Sequence, residues 1–524
     1  MFNHFLNSRF RLWWLVSGCW LLITAGIRPL MLPDEGRYVG VAWEMLSQQQ
    51  WWVPTLDGMP FFHKPPLFYW LTLLGIKIFG MSEWAARMAS WSSAWLAAVV
   101  MVSFLRKHGD VRLSNVSMLV LLTMPFYFIG AQFANLDMLV ASMISLCILF
   151  SADAALCMEQ HRPHQRALAQ AYVFAALGLL SKGLIGLVLP GATVVAWLLL
   201  RRQHRLIIRM WSWPLMGLFA LIAAPWFVWM EHTYPGFGRY FFYHHHFQRF
   251  AATGFNNQQP FWFYVPVLLV LTFPVSVNVW RMVRPTFYLP VKANAIRTLM
   301  LVWMGVVLVF FSLPQSKLIG YILPTLIPFA VLLASTWDAH SNQTSSSAPK
   351  HALWIFVGAG LLCLGLVFGL SKKVQSNSHT LPDSVRQQFE PQDQLVMLDR
   401  YAYDLPFYLR ARHPAWVVSN WQDPDIPKFD NWRKEIFDAA WFAPEEGRKN
   451  LIDEHTLMQR LCTPENHGLW IWGPQNTPHP WLQTQAPVFS ASGHSLWHIS
   501  SQQWKTFKSS VSCLEMPSSA LEQR

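Results

Sequence analysis

Apolar residues in this chain run in blocks close to the twenty or so that carry an α-helix across a hydrocarbon layer of about 30 Å, separated by short polar stretches. The blocks at 12–32, 85–105, 113–131, 136–156, 168–181, 184–200, 212–230, 261–280, 298–313, 318–336 and 352–370 predict about eleven spanning helices. The short pair within 168–200 reads as a tight helical hairpin. "LFYWLTLLGIKIFG", 67–80, is apolar but short, which suits an interfacial or re-entrant helix better than a span. "WDAHSNQTSSSAPK" is a polar, Ser-rich connector. After about residue 372 the pattern changes to strand, helix, strand in "DQLVMLDRYAYDLPFYLRARHPAWVVSN". The expected organisation is a membrane domain at 1–371, with an outer loop at 33–84, followed by a small α/β domain at 372–524.

Composition agrees with a membrane protein: 53% of residues are hydrophobic and only 13% charged, and mean hydropathy is +0.25. The 29 Trp suit many water–lipid boundaries. The net charge of +12 comes from short clusters between apolar blocks rather than from one basic face, so it points to positive-inside topology and not to nucleic acid. Leaving 67–80 in the interface places Arg9/Arg11, Arg106/Lys107/Arg112, Arg162/Arg166, Arg201/Arg202/Arg205/Arg209 and Arg281/Arg284/Lys292/Arg297 on one side, the cytoplasmic one. The loop 33–84 and everything after the last span then face outward. The first apolar block carries no small-residue cleavage site and reads as a retained helix. Cys19, Cys147, Cys157 and Cys363 fall in apolar runs, whereas Cys462 and Cys513 lie in the polar outer part, where they could pair.

That topology collects polar residues at the outer boundary: Asp34, Glu35, Arg37 and Tyr38; His63 and Lys64 in "FFHKPPLFYW"; Asn135 and Asp137 in "ANLDML"; Lys182 in "LLSKGLIG"; His244, His245, His246, Gln248 and Arg249 in "YHHHFQRF"; and Gln315, Lys317 and Tyr321 in "SLPQSKLIGYILP". Bland roles exist for several. Arg37, Arg239 and Arg249 could reach lipid headgroups, and Asp137 could cap the helix that follows it. Three successive His cannot all face one ion on a regular helix. Lys64 and Lys182 sit in apolar surroundings where a cation needs an anionic partner. A carboxylate among several cations at a membrane face suits sugar transfer from a lipid phosphate, the cations stabilising the departing phosphate and the carboxylate serving the acceptor.

Six motifs in order, "DEGRY" with "WEML", "HKPPLFYW", "NLDM", "LLSKG", "YFFYHHHFQRF" with "PFWFYVP", and "SKLIGYILP", cover most of residues 1–335. With them the chain resembles the GT-C glycosyltransferases that use polyprenyl-phosphate sugars, and most closely the bacterial transferases that add aminoarabinose to lipid A. The resemblance implies a GT-C fold, an undecaprenyl-phosphate sugar donor, and a periplasmic site and C-terminal domain. It makes Asp34 the catalytic carboxylate, with Lys64 beside it and Asp137 a second acid, and makes Arg37, Lys182, Arg249, Lys317 and Tyr321 donor-phosphate contacts. Those enzymes hold a metal with a Glu before the "KP" lysine and a His of the later stretch. Here His63 and His246 stand at those places, so a zinc site would rest on two imidazoles. Glu35, which could hold the loop or a nearby cation, and His245 are further site candidates.

The function expected is an inverting inner-membrane transferase that moves an amino sugar, 4-amino-4-deoxy-L-arabinose or a relative, from undecaprenyl phosphate to lipid A or another envelope glycolipid. Transfer to a protein Ser/Thr or a polysaccharide is the alternative within the same fold. A transporter for a lipid-linked sugar is disfavoured, because the polar motifs gather at one face instead of lining a path.

Overall fold

The computed structural model describes residues 10–248, 257–283, 294–341, 350–373, 378–429, 431–462 and 467–503. The chain divides into two compact units, Met1–Arg28 with His63–Lys373, and Pro29–Phe62 with Val374–Arg524. Part of the expected 33–84 loop therefore clusters with the C-terminal residues, and the rest with the helices.

The first unit is helical, and the protein is a multi-pass membrane protein. Among the described residues six stretches are long and apolar enough to span, Met88–His108, Leu136–Glu159, Trp213–Thr233, Ala295–Ser312, Ile319–Thr336 and Leu353–Lys372, and each coincides with an expected block. The other blocks are shorter or broken helices, for local reasons. Pro125 has no N–H to continue the preceding turn, so 113–131 becomes Val111–Thr123 and Pro125–Ala131, bent by 69°. Pro274 likewise separates the Tyr264–Leu271 helix from a tighter turn at Val275–Val283 in the block 261–280. Gln165–Lys182 and Ile185–Leu200 are joined through Gly183, whose φ of 83° needs a residue without a side chain. The 13-residue helix Leu67–Phe79 is about 20 Å long, less than the hydrocarbon thickness.

The N-terminal helix Phe10–Ile23 ends early because the chain after it is held in turns. Arg87, fully buried, donates to the carbonyls of Ala25 and Arg28, each at 2.6 Å, and Arg28 donates to that of Gln132 at 3.0 Å. Each guanidinium satisfies carbonyls that a continuing helix would have paired.

The Leu136–Glu159 helix, 24 residues and about 36 Å long, sets the polarity of this unit. Its C-terminal end carries ion pairs of the basic clusters: Arg201 to Glu159 at 2.8 and 3.0 Å, and Lys107 to Asp153 at 2.7 Å. Asp137 lies at the other end.

The second unit is α/β. Strands β3 (Gln394–Leu398), β4 (Trp416–Val418), β5 (Leu451–Ile452), β6 (Leu469–Pro474), β7 (Phe489–Ala491) and β8 (His494–Ile499) form one sheet in the order β5-β4-β3-β6-β8-β7. The first four are parallel, and β8 and β7 are antiparallel. Val396, Leu398, Ile471 and Trp497 bury one core with Leu457 and Leu461 of the Glu454–Cys462 helix. Cys462 is disulfide-bonded, whereas Cys513 lies outside the described residues.

The Pro29–Phe62 segment contributes the Asp34–Ser47 helix and a hairpin of β1 (Thr55–Leu56) and β2 (Met59–Pro60). Glycines let that helix sit close to residues 403–404: a Cβ on Gly40 would stand 2.8 Å from the Tyr403 carbonyl oxygen, and one on Gly36 3.1 Å from the Asp404 nitrogen. The hairpin turns at Asp57 and Gly58, with φ of 55° and 76°, the Asp-Gly arrangement that a two-residue turn favours. Glu44 accepts from Asp57 N at 2.8 Å and from Gly58 N. Asp57 Oδ1 accepts from Ala415 N at 2.7 Å, and Asn450 donates to the Asp57 carbonyl at 2.8 Å. Asp57 Oδ2 is buried and has no hydrogen-bond partner among the described residues.

Burial, with the Glu44 charge, holds the Asp57 carboxyl well above its ordinary value of 3.8, and burial pushes Glu44 up to about 7 despite the N–H groups that favour its anion. A proton held more tightly in the folded state stabilises fully at acid pH, and that contribution is lost as pH rises through the raised values. Asp57→Asn keeps the oxygen that accepts from Ala415, tolerates the positive φ and carries no proton. Thermal unfolding of the full-length protein in detergent is expected to match wild type near pH 4 and to exceed it at pH 8 by about 1 kcal/mol or more. Equal midpoints at both pH values would show that Asp57 stays ionised.

Candidate active site

Asp137 and Lys182 meet at one end of the helical unit. Asn135 caps the Leu136–Glu159 helix by accepting from Asp137 N at 3.0 Å, which frees the Asp137 side chain from the capping role open to it in the sequence. Lys182, in the last turn of its helix, donates to Asp137 Oδ1, and both side chains are largely buried at 15% and 17% exposure. The ammonium lies 4.6 Å from the centre of the Tyr321 ring, so a carboxylate and an aromatic face share it. Gly320 lets the Ile319–Thr325 turn come this close, since any side chain there would collide with Asp137 Oδ2. Lys317 is buried nearby in sequence, its ammonium held by the carbonyls of Gln259, at 3.0 Å, and Pro314.

Asp34 and Arg37 belong to the second unit. They lie one turn apart on the Asp34–Ser47 helix and pair at 2.7 Å. Arg37 also donates to Glu435 of the Trp432–Phe442 helix, and the Tyr403 hydroxyl donates to the other oxygen of Glu435. The Tyr38 and Tyr403 rings flank the guanidinium at 5.1 and 6.0 Å. Burial opposes the charge on Arg37, but Tyr38, Glu435 and Asp34 outweigh it and raise its pKa; burial and Glu435 hold Tyr403 well above a free phenol. Arg37 is thus a fixed cation and Tyr403 a fixed donor. Asp34 remains half exposed. Glu35 is fully buried and accepts from Met31 N at 2.8 Å, closing the turn before the helix.

Lys64 and His63 lie in the helical unit, just before the Leu67–Phe79 helix, so the expected site residues divide between the units. The His63 ring is 6.4 Å from that of Tyr240, in the first turn of the wide, π-type helix Arg239–Gln248. That helix carries His245 and His246, whose side chains lie outside what is described, and Arg249 lies outside the described residues altogether. His63 and the helix that bears His246 both belong to the helical unit. Among the described residues, His108, Asp153 and Cys157 form a group with metal-ligand spacing, but at the opposite end of the helices. There Lys107 already supplies the cation. Sequence reasoning missed Glu435 and Tyr403. Only the "WEML" motif drew attention to Glu44, and nothing local marks Glu435, 398 positions from Arg37.

Comparison with known proteins identifies the family and the fold. A family model described as dolichyl-phosphate-mannose-protein mannosyltransferase matches residues 63–229. An undecaprenyl phosphate-α-4-amino-4-deoxy-L-arabinose arabinosyl transferase of Pseudomonas savastanoi pv. phaseolicola is 30% identical over 374 residues, 69% of this chain and 67% of that protein. A protein of the same name from Aeromonas salmonicida is 30% identical over 348 residues, 65% of this chain and 62% of that one, so the match falls short of two thirds of its length. The fold is that of the crystal structure of ArnT from Cupriavidus metallidurans bound to undecaprenyl phosphate, with a TM-score of 0.76 at 21% identity, covering 93% of this chain and 97% of that one.

The Asp137–Lys182 pair carries its own test. Lys182→Met strands a partly buried carboxylate and is expected to cost about 1–3 kcal/mol, less than a fully buried pair because water reaches both groups. Asp137→Asn in the same chain should recover part of that loss, giving a coupling of about 1 kcal/mol in a cycle read by thermal unfolding in detergent. Additive losses would mean that the two side chains do not interact.

Proposed function

The chain belongs to the family of undecaprenyl phosphate-α-4-amino-4-deoxy-L-arabinose arabinosyl transferases, glycosyltransferases of the GT-C fold, and from that premise we propose that it transfers an amino sugar, 4-amino-4-deoxy-L-arabinose, from undecaprenyl phosphate to lipid A at the periplasmic face of a bacterial inner membrane. The observation that carries this reading is the meeting of Asp137, Lys182 and Tyr321 at the end of apolar helices opposite to the one holding the basic ion pairs. A cation held by a carboxylate at the edge of a hydrocarbon layer is what a phosphate on a lipid tail requires. The positive-inside rule then puts that end outside.

In the reaction the acceptor oxygen attacks the anomeric carbon from the face opposite the donor phosphate. The carbon–oxygen bond to phosphate breaks, and its electron pair leaves with undecaprenyl phosphate. Lys182, Lys64 and Arg249 balance the charge that builds on the leaving oxygen, and Tyr321 offers its hydroxyl. Lys317 uses two of its three N–H bonds on carbonyls and has a third for an anion. If a lipid A phosphate is the nucleophile, it is already an anion, and half-exposed Asp34 orients it and sets the local charge. If a hydroxyl is the nucleophile, Asp34 takes its proton. A zinc ion held by His63 and His246 would draw negative charge from the donor phosphate. The match to a protein mannosyltransferase model keeps a protein Ser/Thr acceptor as the second reading.

Lipid A masses from wild-type, null and Asp34→Asn cells, with membrane levels of the protein matched, test the reading. The null should lose the sugar adduct and Asp34→Asn should lower transfer about 10²–10⁴-fold. An adduct at wild-type level in Asp34→Asn would remove Asp34 from the reaction, and unchanged lipid A in the null would move the acceptor elsewhere. Separately, a chelator and His63→Ala should each reduce transfer by the purified protein, with zinc restoring only the chelated wild type. Full activity in both would exclude the metal.

A further inference from the structure

Arg37 divides its guanidinium between two carboxylates of unequal exposure. One terminal nitrogen meets Asp34, whose side chain is 50% exposed, at 2.7 Å. The other meets Glu435, at 13% exposure, while Arg37 itself is at 14%. Glu435 is in turn fixed by the Tyr403 hydroxyl on its second oxygen. All four residues lie in the second unit, so the Trp432–Phe442 helix bears on the carboxylate of the Asp34–Ser47 helix through a chain of side-chain contacts.

This arrangement has consequences for both direction and charge. A guanidinium is planar, and fixing one nitrogen on a buried carboxylate sets the plane in which the other can reach Asp34. Asp34 then has less choice of rotamer than a carboxylate paired with a free arginine. The cation is also shared, so Arg37 does not fully neutralise Asp34. If Glu435 lost its charge, the whole positive charge of Arg37 would act on Asp34 and favour its ionised form further.

We propose that Glu435, held by Tyr403, is a positioning residue of the transfer reaction, fixing through Arg37 the direction and residual charge of the Asp34 carboxylate. The role rests on the reading of Asp34 as the carboxylate that serves the acceptor. It gives the C-terminal residues a part in the reaction. In this role Glu435 acts through Arg37 on the residue that serves the acceptor.

The test uses the full chain in detergent, with undecaprenyl phosphate-linked aminoarabinose as donor and lipid A as acceptor, measured from pH 5 to 9. Glu435→Gln is expected to lower kcat about tenfold with donor KM within about twofold, and to move the acidic limb of the pH profile down by about half to one pH unit. Glu435→Asp should restore part of the rate and return the limb towards wild type. Tyr403→Phe, which leaves the Glu435 charge in place, should lower kcat more mildly, and it carries the test if Glu435→Gln does not accumulate. Asp423→Asn breaks a 3.0 Å ion pair to Arg433 on the same helix and should leave the limb unmoved, as a purely structural contact would. A Glu435→Gln profile that superimposes on those of Asp423→Asn and wild type overturns the positioning role. Asp34→Asn in the same assay separates the two failures. Full activity there sinks the reading of Asp34 itself, whereas loss there with Glu435→Gln unchanged sinks only the inference drawn from it.

Discussion

A lysine ending an apolar helix must find an anion, and much of the helical unit follows from Lys182 finding Asp137. For the pair to form, Asn135 has to take over the cap of the next helix. The Ile319–Thr325 turn has to approach without a side chain at position 320, and Tyr321 has to offer its ring. Each condition ties a different helix to the same point. The basic clusters meet Glu159 and Asp153 at the far end, so one helix of 24 residues separates the proposed donor-phosphate site from these ion pairs.

The second unit solves a related problem with different parts. Gly36 and Gly40 let the Asp34–Ser47 helix press against the backbone at 403–404, which puts Arg37 within reach of Glu435 and Tyr403. The Asp-Gly hairpin that follows is held by Glu44 from one side and by the Ala415 and Asn450 contacts from the other. The proton-holding carboxyls there therefore stabilise the same loop that presents Asp34. In each unit a candidate site residue is paired with a partner distant in the chain.

The six spanning helices among the described residues and the change of composition near residue 372 were legible in the apolar pattern. Each rests on a local quantity: run length, charge placement or the special backbone of Gly and Pro. The division of 113–131 and of 261–280 into shorter pieces was carried by Pro125 and Pro274 but was hidden by runs that stay apolar through them. The sequence left the cap of the helix after residue 135 open, and Asn135 takes it by accepting from Asp137 N. The two acids of "DEGRY" looked alike in sequence. Glu35 turned inward to Met31 N, and Asp34 stayed half exposed beside Arg37.

By itself, then, the sequence determined a multi-pass helical protein with an α/β C-terminal part and a set of candidate site residues, because hydrophobic length and charge placement act locally along the chain. Tertiary structure alone decided which of them pair, that the loop bearing Asp34 clusters with the C-terminal residues, and that Glu435 and Tyr403 enter the picture at all. Contacts across 398 and 32 positions leave no trace in local pattern, since they depend on where a packed sheet and its helices finally come to rest.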